Sequence, residues 1–361
     1  MGIQETVGND LIKAYFNLLS EIFRRDHLRR VALYGLLFIA ALLIPAVMAE
    51  AQEADGQTYS VIVTGLGGDA EYSKLIAGWG KDLDSSIKKA SQNSDRTFWL
   101  AESKLDGIQS LCTREEITKL FATLAARVRP QDSFNLFLIG HGSHDGYDYR
   151  FHLPGPDLTA LQWAELLDSI PAEKQAVVNM SSASGATLAA WQKKGRIVIT
   201  STSSGRERNF SVFGRYFVEA MQNPATDADK NRAISFLEGF RYATREVARY
   251  YETQKRLATE HALLEDTGEG DGSREPAPGT GKGMLAATAP VLDLRTVNVT
   301  AESPEIRTLR AKKRQLEESI EQLKYQKASI NSDEYMKQIE KLLLDLARTE
   351  QSLEALEKTG K

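Results

Sequence analysis

The sequence predicts an α/β protein: a three-layer α/β/α domain on a mainly parallel sheet, followed by a C-terminal α-helical coiled-coil hairpin. Three observations predict it. Between Tyr59 and Leu264, five short apolar runs alternate with stretches of helical period. That order gives parallel strands joined by right-handed crossovers. The runs are almost continuously apolar, as expected of strands covered on both faces. Beyond Glu302, apolar or long aliphatic residues recur at alternating steps of three and four, the spacing of a coiled-coil seam.

The elements follow in chain order. Residues Val31 to Met48 form an uncharged run of 18 residues, with Arg24, Arg25, Arg29 and Arg30 before it and an acidic, polar stretch after it. A basic flank, an apolar core and a small-residue exit make a secretory signal. The same length reaches the lower limit for spanning a bilayer. Residues 1–50 therefore read either as a cleaved signal peptide or as an N-terminal membrane anchor, and the body of the chain as exported, periplasmic or tethered outside the cytoplasm. Tyr59 to Thr64 is the first strand, ending in Gly65-Leu66-Gly67-Gly68. A helix follows on Tyr72, Leu75, Ile76, Trp79, Leu83 and Ile87. Thr97 to Leu100 is the second strand. Thr113 and Glu116 have capping-box spacing ahead of a helix that Pro130 ends. Asn135 to Gly140, Ala176 to Met180 and Arg196 to Thr202 are the third, fourth and fifth strands, with a helix around Leu158 to Ser169 between the first two of these. The α/β domain runs over 59–264.

Glu265 to Gly283 is rich in glycine, proline and acids, so 265–301 reads as a linker. In 302–361, twelve basic and twelve acidic residues surround the apolar seam, and its phase shifts at Asn331-Ser332-Asp333. Two helical arms of about 25 residues, each about 37 Å long at 1.5 Å per residue, fit better than one rod. Such an arm suits docking to an envelope protein or self-association.

Composition excludes several classes. The chain has 361 residues, 45 Lys+Arg, 49 Asp+Glu and a formal net charge of −4. A near-neutral balance argues against nucleic acid as a partner. One cysteine, Cys112, allows neither an internal disulfide nor a multi-cysteine metal centre. Gly65-Leu66-Gly67-Gly68 lacks the third glycine of a dinucleotide fingerprint. No cofactor is required by any motif.

Chemistry concentrates at two strand ends, Ile139-Gly140-His141-Gly142-Ser143 and Met180-Ser181-Ser182-Ala183-Ser184-Gly185. An open parallel sheet binds ligands beyond the carboxyl ends of its strands, so both segments deliver polar residues to the same side. A histidine there suits a general base. The glycine after it lets backbone N–H groups approach a developing oxyanion. Asp145 and Asp148 stand close enough in sequence to orient the imidazole.

From about Ser60 to Tyr216, on these residues and on Ile199-Thr200-Ser201-Thr202, the sequence resembles the caspase-fold peptidases, most closely the legumain-like branch. The resemblance implies that His141 is the base, that Gly142 helps form the oxyanion hole and that the nucleophile position falls on Ser182. The family uses cysteine there. A serine hydroxyl is a far weaker acid than a thiol and needs a well-oriented base, usually with a third group. Three readings follow: a degenerate site that binds a peptide or protein at a His141/Ser182 cleft, an active endopeptidase or hydrolase using Ser182 with His141, and a structural scaffold acting through the hairpin. A flavodoxin-like α/β domain is the alternative to the kinship itself. Caspase-like and legumain-like enzymes read acidic or amide side chains, and Arg206 or Arg208, after the fifth strand, would bind a carboxylate through paired donors.

Asp227 to Glu238 fits most of an EF-hand calcium loop. Asp227, Asp229, Asn231, Ala233, Ser235 and Glu238 occupy positions one, three, five, seven, nine and twelve. Arg232 stands where the template has glycine, and a left-handed arginine costs about 1–2 kcal/mol. Calcium is the cation this loop would take.

Overall fold

The computed structural model describes residues 56–91, 94–294, 304–327 and 330–359. The 31–48 run, and with it the signal-or-anchor expectation, lies outside them. No helix among the described residues is long and apolar enough to cross a membrane.

The chain is a mixed α/β protein built on a mainly parallel, seven-stranded central sheet. Strand β1 (Thr58–Thr64) leads into helix α1 (Ala70–Ser91) and strand β2 (Thr97–Ala101). A two-residue strand β3 (Ser110–Leu111) precedes α2 (Arg114–Arg127), whose first turn is capped by the Thr113 hydroxyl accepting the Glu116 N–H at 3.3 Å. Strand β4 (Ser133–Ile139) follows. After it comes a small antiparallel meander, β5 (Gly142–His144), β6 (Tyr149–Phe151) and β7 (Leu158–Thr159), and then α3 (Ala160–Ser169). Strand β8 (Lys174–Asn179), the short helix α4 (Leu188–Trp191) and strand β9 (Arg196–Thr200) complete the parallel set. Helix α5 (Phe213–Gln222), strand β10 (Ala233–Ser235) and helix α6 (Phe236–Thr253) lead to β11 (Leu263–Glu265), which joins β9 antiparallel. The sheet order is β11-β9-β8-β4-β1-β2-β3.

Alternation along the strands splits the apolar side chains between two cores. Ile62, Phe137, Ile139, Val178, Met180 and Ile199 face α1, α5 and α6. Val61, Val63, Leu136, Leu138, Val177 and Val198 face α2, α3 and α4. Each such side chain contributes about 1.5–3 kcal/mol on burial. With a core on each face, the strand ends are held rigidly and their loops are left to carry chemistry.

The expected 265–301 linker needs correction. Helix α7 (Met284–Thr288) and strand β12 (Pro290–Asp293) lie inside it. Strand β12 pairs antiparallel with β10, and Ala286, Val291 and Leu292 are buried in the first core. The glycine- and acid-rich composition of 265–283 hid a return to the domain. Asp266 anchors that return by accepting the Gly283 and Ala286 N–H groups. Beyond it, α8 (Pro304–Tyr325) and α9 (Ser332–Thr359) lie side by side. Ile320, Leu323 and Leu353 are buried, and Lys313 reaches Glu350 at 2.7 Å.

Candidate functional site

The order of the parallel strands reverses direction between β1 and β4, the switch point at which open α/β sheets hold their ligands. His141 emerges there, two residues past β4. Its Nε2 lies 3.1 Å from the Gly67 carbonyl oxygen in the turn after β1. A carbonyl only accepts, so Nε2 carries the proton and Nδ1 keeps its lone pair. Tyr72 meets the ring edge-on at 5.2 Å, and Phe210 lies 5.0 Å away. Burial pushes the imidazole pKa down, and nearby His152 adds to that, against the opposing bond to Gly67. The neutral, base-competent form is therefore favoured.

Ser182 emerges from the adjoining strand. Leu138 on β4 pairs with Asn179 on β8, and the same offset relates His141 to Ser182. The two residues thus leave neighbouring parallel strands at one level, on one side of the sheet. The close approach depends on Gly142. A Cβ there would come within 2.5 Å of the Ser182 carbonyl oxygen and 2.8 Å of the Ser181 Oγ. Hydroxyls around Ser182 are well bonded. Ser181 Oγ sits 2.6 Å from the Tyr149 hydroxyl and donates to Asn179 Oδ1 at 2.7 Å. Ser184 Oγ lies 3.1 Å from both Ser201 Oγ and Thr202 Oγ1. Ser182 differs from them. It is 1% exposed, and its Oγ has no hydrogen-bond partner. The histidine and the serine are neighbours in topology and are not hydrogen-bonded to one another. Ala183, next in the chain, adopts a left-handed φ of 58°, a conformation that non-glycine residues hold only when their surroundings enforce it.

Compared with known proteins, the chain matches no protein-family model and no curated protein.

The remaining expected site residues fall as follows. Arg206 and Arg208 are exposed on the loop after β9. Asp145 and Asp148 do not orient His141. Asp145 accepts the Tyr147 and Asp148 N–H groups, and both aspartates pair with Arg150, so they organise the β5–β6 turn. The group that fixes the imidazole is a backbone carbonyl, which residue-type patterns do not reveal. Sequence reading also missed Glu207 and His261, whose side chains meet at 2.6 Å. They lie 54 positions apart, and no local pattern links them.

In the 227–238 loop, carboxylate oxygens of Asp227, Asp229 and Glu238 lie within 4.8 Å of one another. Arg232 does take the left-handed conformation, with φ 66°. Asn231 Oδ1 accepts the Ala233 N–H, Ala233 and Ser235 form β10, and Glu238 is in the first turn of α6. Glu238 also closes a capping box with Ser235 and accepts the Ala228 N–H. Burial raises the Asp229 pKa, and the neighbouring Glu238 and Asp227 charges push it the same way. Three oxygen donors of one sign suit a hard divalent cation.

Proposed function

We propose that the chain is a caspase-like, legumain-like peptidase-fold protein of the cell envelope whose His/Ser site is degenerate, and that it binds a peptide or protein without cutting it. The observation that carries this reading is Ser182: a hydroxyl sealed from solvent, with no imidazole bonded to it, cannot hand its proton to a base. His141 stands here for the family's base and Gly142 for its oxyanion glycine, a reading supported by the switch-point location of His141 between β1 and β4. In this reading, 302–361 is a coiled-coil hairpin that engages an envelope protein or a second copy, residues 1–50 export or tether the chain, and Arg206 and Arg208 meet carboxylates of the ligand.

A fluorophosphonate probe tests the reading on the wild type, Ser182→Ala, His141→Ala and Ser182→Cys. The expected results are no labelling of the wild type and peptide capture that survives Ser182→Ala. Wild-type labelling, together with hydrolysis lost in both alanine variants, would establish the rival reading instead: a serine hydrolase using Ser182 with His141. The lone pair at Nδ1 favours that rival enough to keep it in the test. Calcium binding at Asp227, Asp229 and Glu238 is a separate part of the proposal, supported by the convergence of their carboxylates.

A further inference from the structure

We infer that residues 202–210 form a strap that closes the carboxyl side of the sheet over Ser182, and that Glu207 and His261 are the latch that holds it down.

The strap touches both strand ends in succession. Gly185 N–H donates to Thr202 Oγ1 at 2.8 Å, and a Cβ at Gly185 would meet the Ser204 nitrogen at 2.2 Å. Gly205 lies against His144, where a Cβ would come within 2.5 Å of the ring. Ala183 N–H donates to the Glu207 carbonyl at 2.8 Å. Phe210 rests on His141, its ring 5.0 Å away. One segment therefore crosses from the Ala183–Gly185 turn to the imidazole, touching the neighbours of buried Ser182 on both strand ends, and on this inference it covers the hydroxyl.

The strap has few apolar anchors of its own, so it is held by polar bonds. Glu207 accepts the Ser203 N–H at 2.7 Å, the Ser203 hydroxyl at 3.0 Å and the His261 N–H at 3.1 Å, besides the bond from His261 Nδ1. Burial pushes this carboxyl up, and the Ser203 and His261 bonds outweigh it and hold its pKa low, so Glu207 is ionised at neutral pH. The residue before His261 holds the strap's exit. Glu260, 4% exposed, accepts the Val212 N–H at 2.9 Å and the Phe213 N–H at 3.1 Å. Consecutive residues thus hold the strap itself, through His261, and the turn that leads from it into α5, through Glu260, immediately before β11 pairs with β9, the strand that feeds the strap. Any ligand that reaches the Ser182 hydroxyl must first free the strap from 260–261.

A reporter thiol tests this independently of what the site binds. The chain has one native thiol, Cys112, which is fully buried and whose pKa burial pushes up to about 12. Ser182→Cys adds a second. Iodoacetamide labelling at pH 8, resolved by mass spectrometry, compares this variant alone with the same variant carrying Glu207→Gln or His261→Ala. The expected result is slow labelling at 182 with the latch intact, at least tenfold faster labelling in each latch variant, and Cys112 unlabelled throughout. Equal rates at 182 with and without the latch would overturn the inference, as would fast labelling in the Ser182→Cys single variant. Should Cys112 label in step with 182, global unfolding is the cause, and amide exchange of the 183–187 segment in His261→Gln decides instead. Faster exchange there, with unchanged exchange in β4, supports the latch, and no difference from wild type rejects it.

Discussion

The His141/Ser182 strand ends and the 227–238 loop are built in opposite ways. The first pair lies 41 positions apart in sequence and meets because two parallel strands hold one register. Its groups are neutral, with Ser182 buried and His141 half-buried against Tyr72 and Phe210. The second gathers three carboxylates within twelve residues, through local bonds such as those from the Asn231 and Arg232 N–H groups to Asp227. Its groups are charged and lie near solvent. A site assembled by the core inherits the core's rigidity and its intolerance of added volume. A site assembled by a loop inherits the loop's tolerance and answers to charge.

The largest effect expected from that contrast is at Gly142. Gly142→Val drives a branched side chain into the Ser182 carbonyl and the Tyr149 ring, contacts already within 2.8 Å of a bare Cβ. A loss of about 3 kcal/mol is expected in urea unfolding, at the upper end for overpacking. A loss below about 1 kcal/mol would mean the strand ends do not pack as described. Next comes Ser182→Ala. A buried hydroxyl without a partner costs about 1–3 kcal/mol, so its removal should raise stability by about 1 kcal/mol. Ser201→Ala, which deletes a hydroxyl bonded to the Ser181 carbonyl at 2.8 Å, should lower it by a similar amount. If both variants lose stability equally, Ser182 has a bonding partner after all.

The smallest effect belongs to the loop and appears as opposite responses to acid. The depressed His141 pKa contributes stability that is complete above the ordinary histidine value, about 6.5. It is lost as pH falls from there through the lowered folded value, because the unfolded chain takes the proton first. The raised Asp229 pKa works the other way: its contribution is complete below the ordinary aspartate value and is lost as pH rises through the folded one. Asp229→Asn should therefore raise Tm slightly at neutral pH in calcium-free buffer. Millimolar calcium should raise Tm in the wild type and not in this variant. A Tm indifferent to calcium in the wild type would remove the cation from the loop.

Much of the sheet was legible because five of its strands are apolar runs of five to seven residues flanked by turn signals. Tyr59 to Thr64 differs from the observed β1 by one residue. The alignment of His141 with Ser182 was legible too, since each follows its strand at a similar distance. The β5–β7 meander was not, because strands of two or three residues carry no period. Nor was the return of 284–293, whose strand β12 pairs with β10 and whose Ala286 and Val291 are buried in the first core, because both depend on contacts far apart in sequence. The same limit hid the latch. His261 reads as a loop residue until the strap brings Glu207 to it.

The two flanks of the central sheet share one feature. One ends in β3, two residues long, and the other in β11, three residues long and reversed in direction. Exposed strands offer unpaired N–H and C=O groups that recruit foreign chains, and very short ones offer too few to hold a neighbour. Leu264 of β11 already exchanges both of its backbone bonds with Ser273, and β3 is too brief to template a neighbour. The long, apolar strands at the centre are therefore screened from strand exchange and fibrillar association.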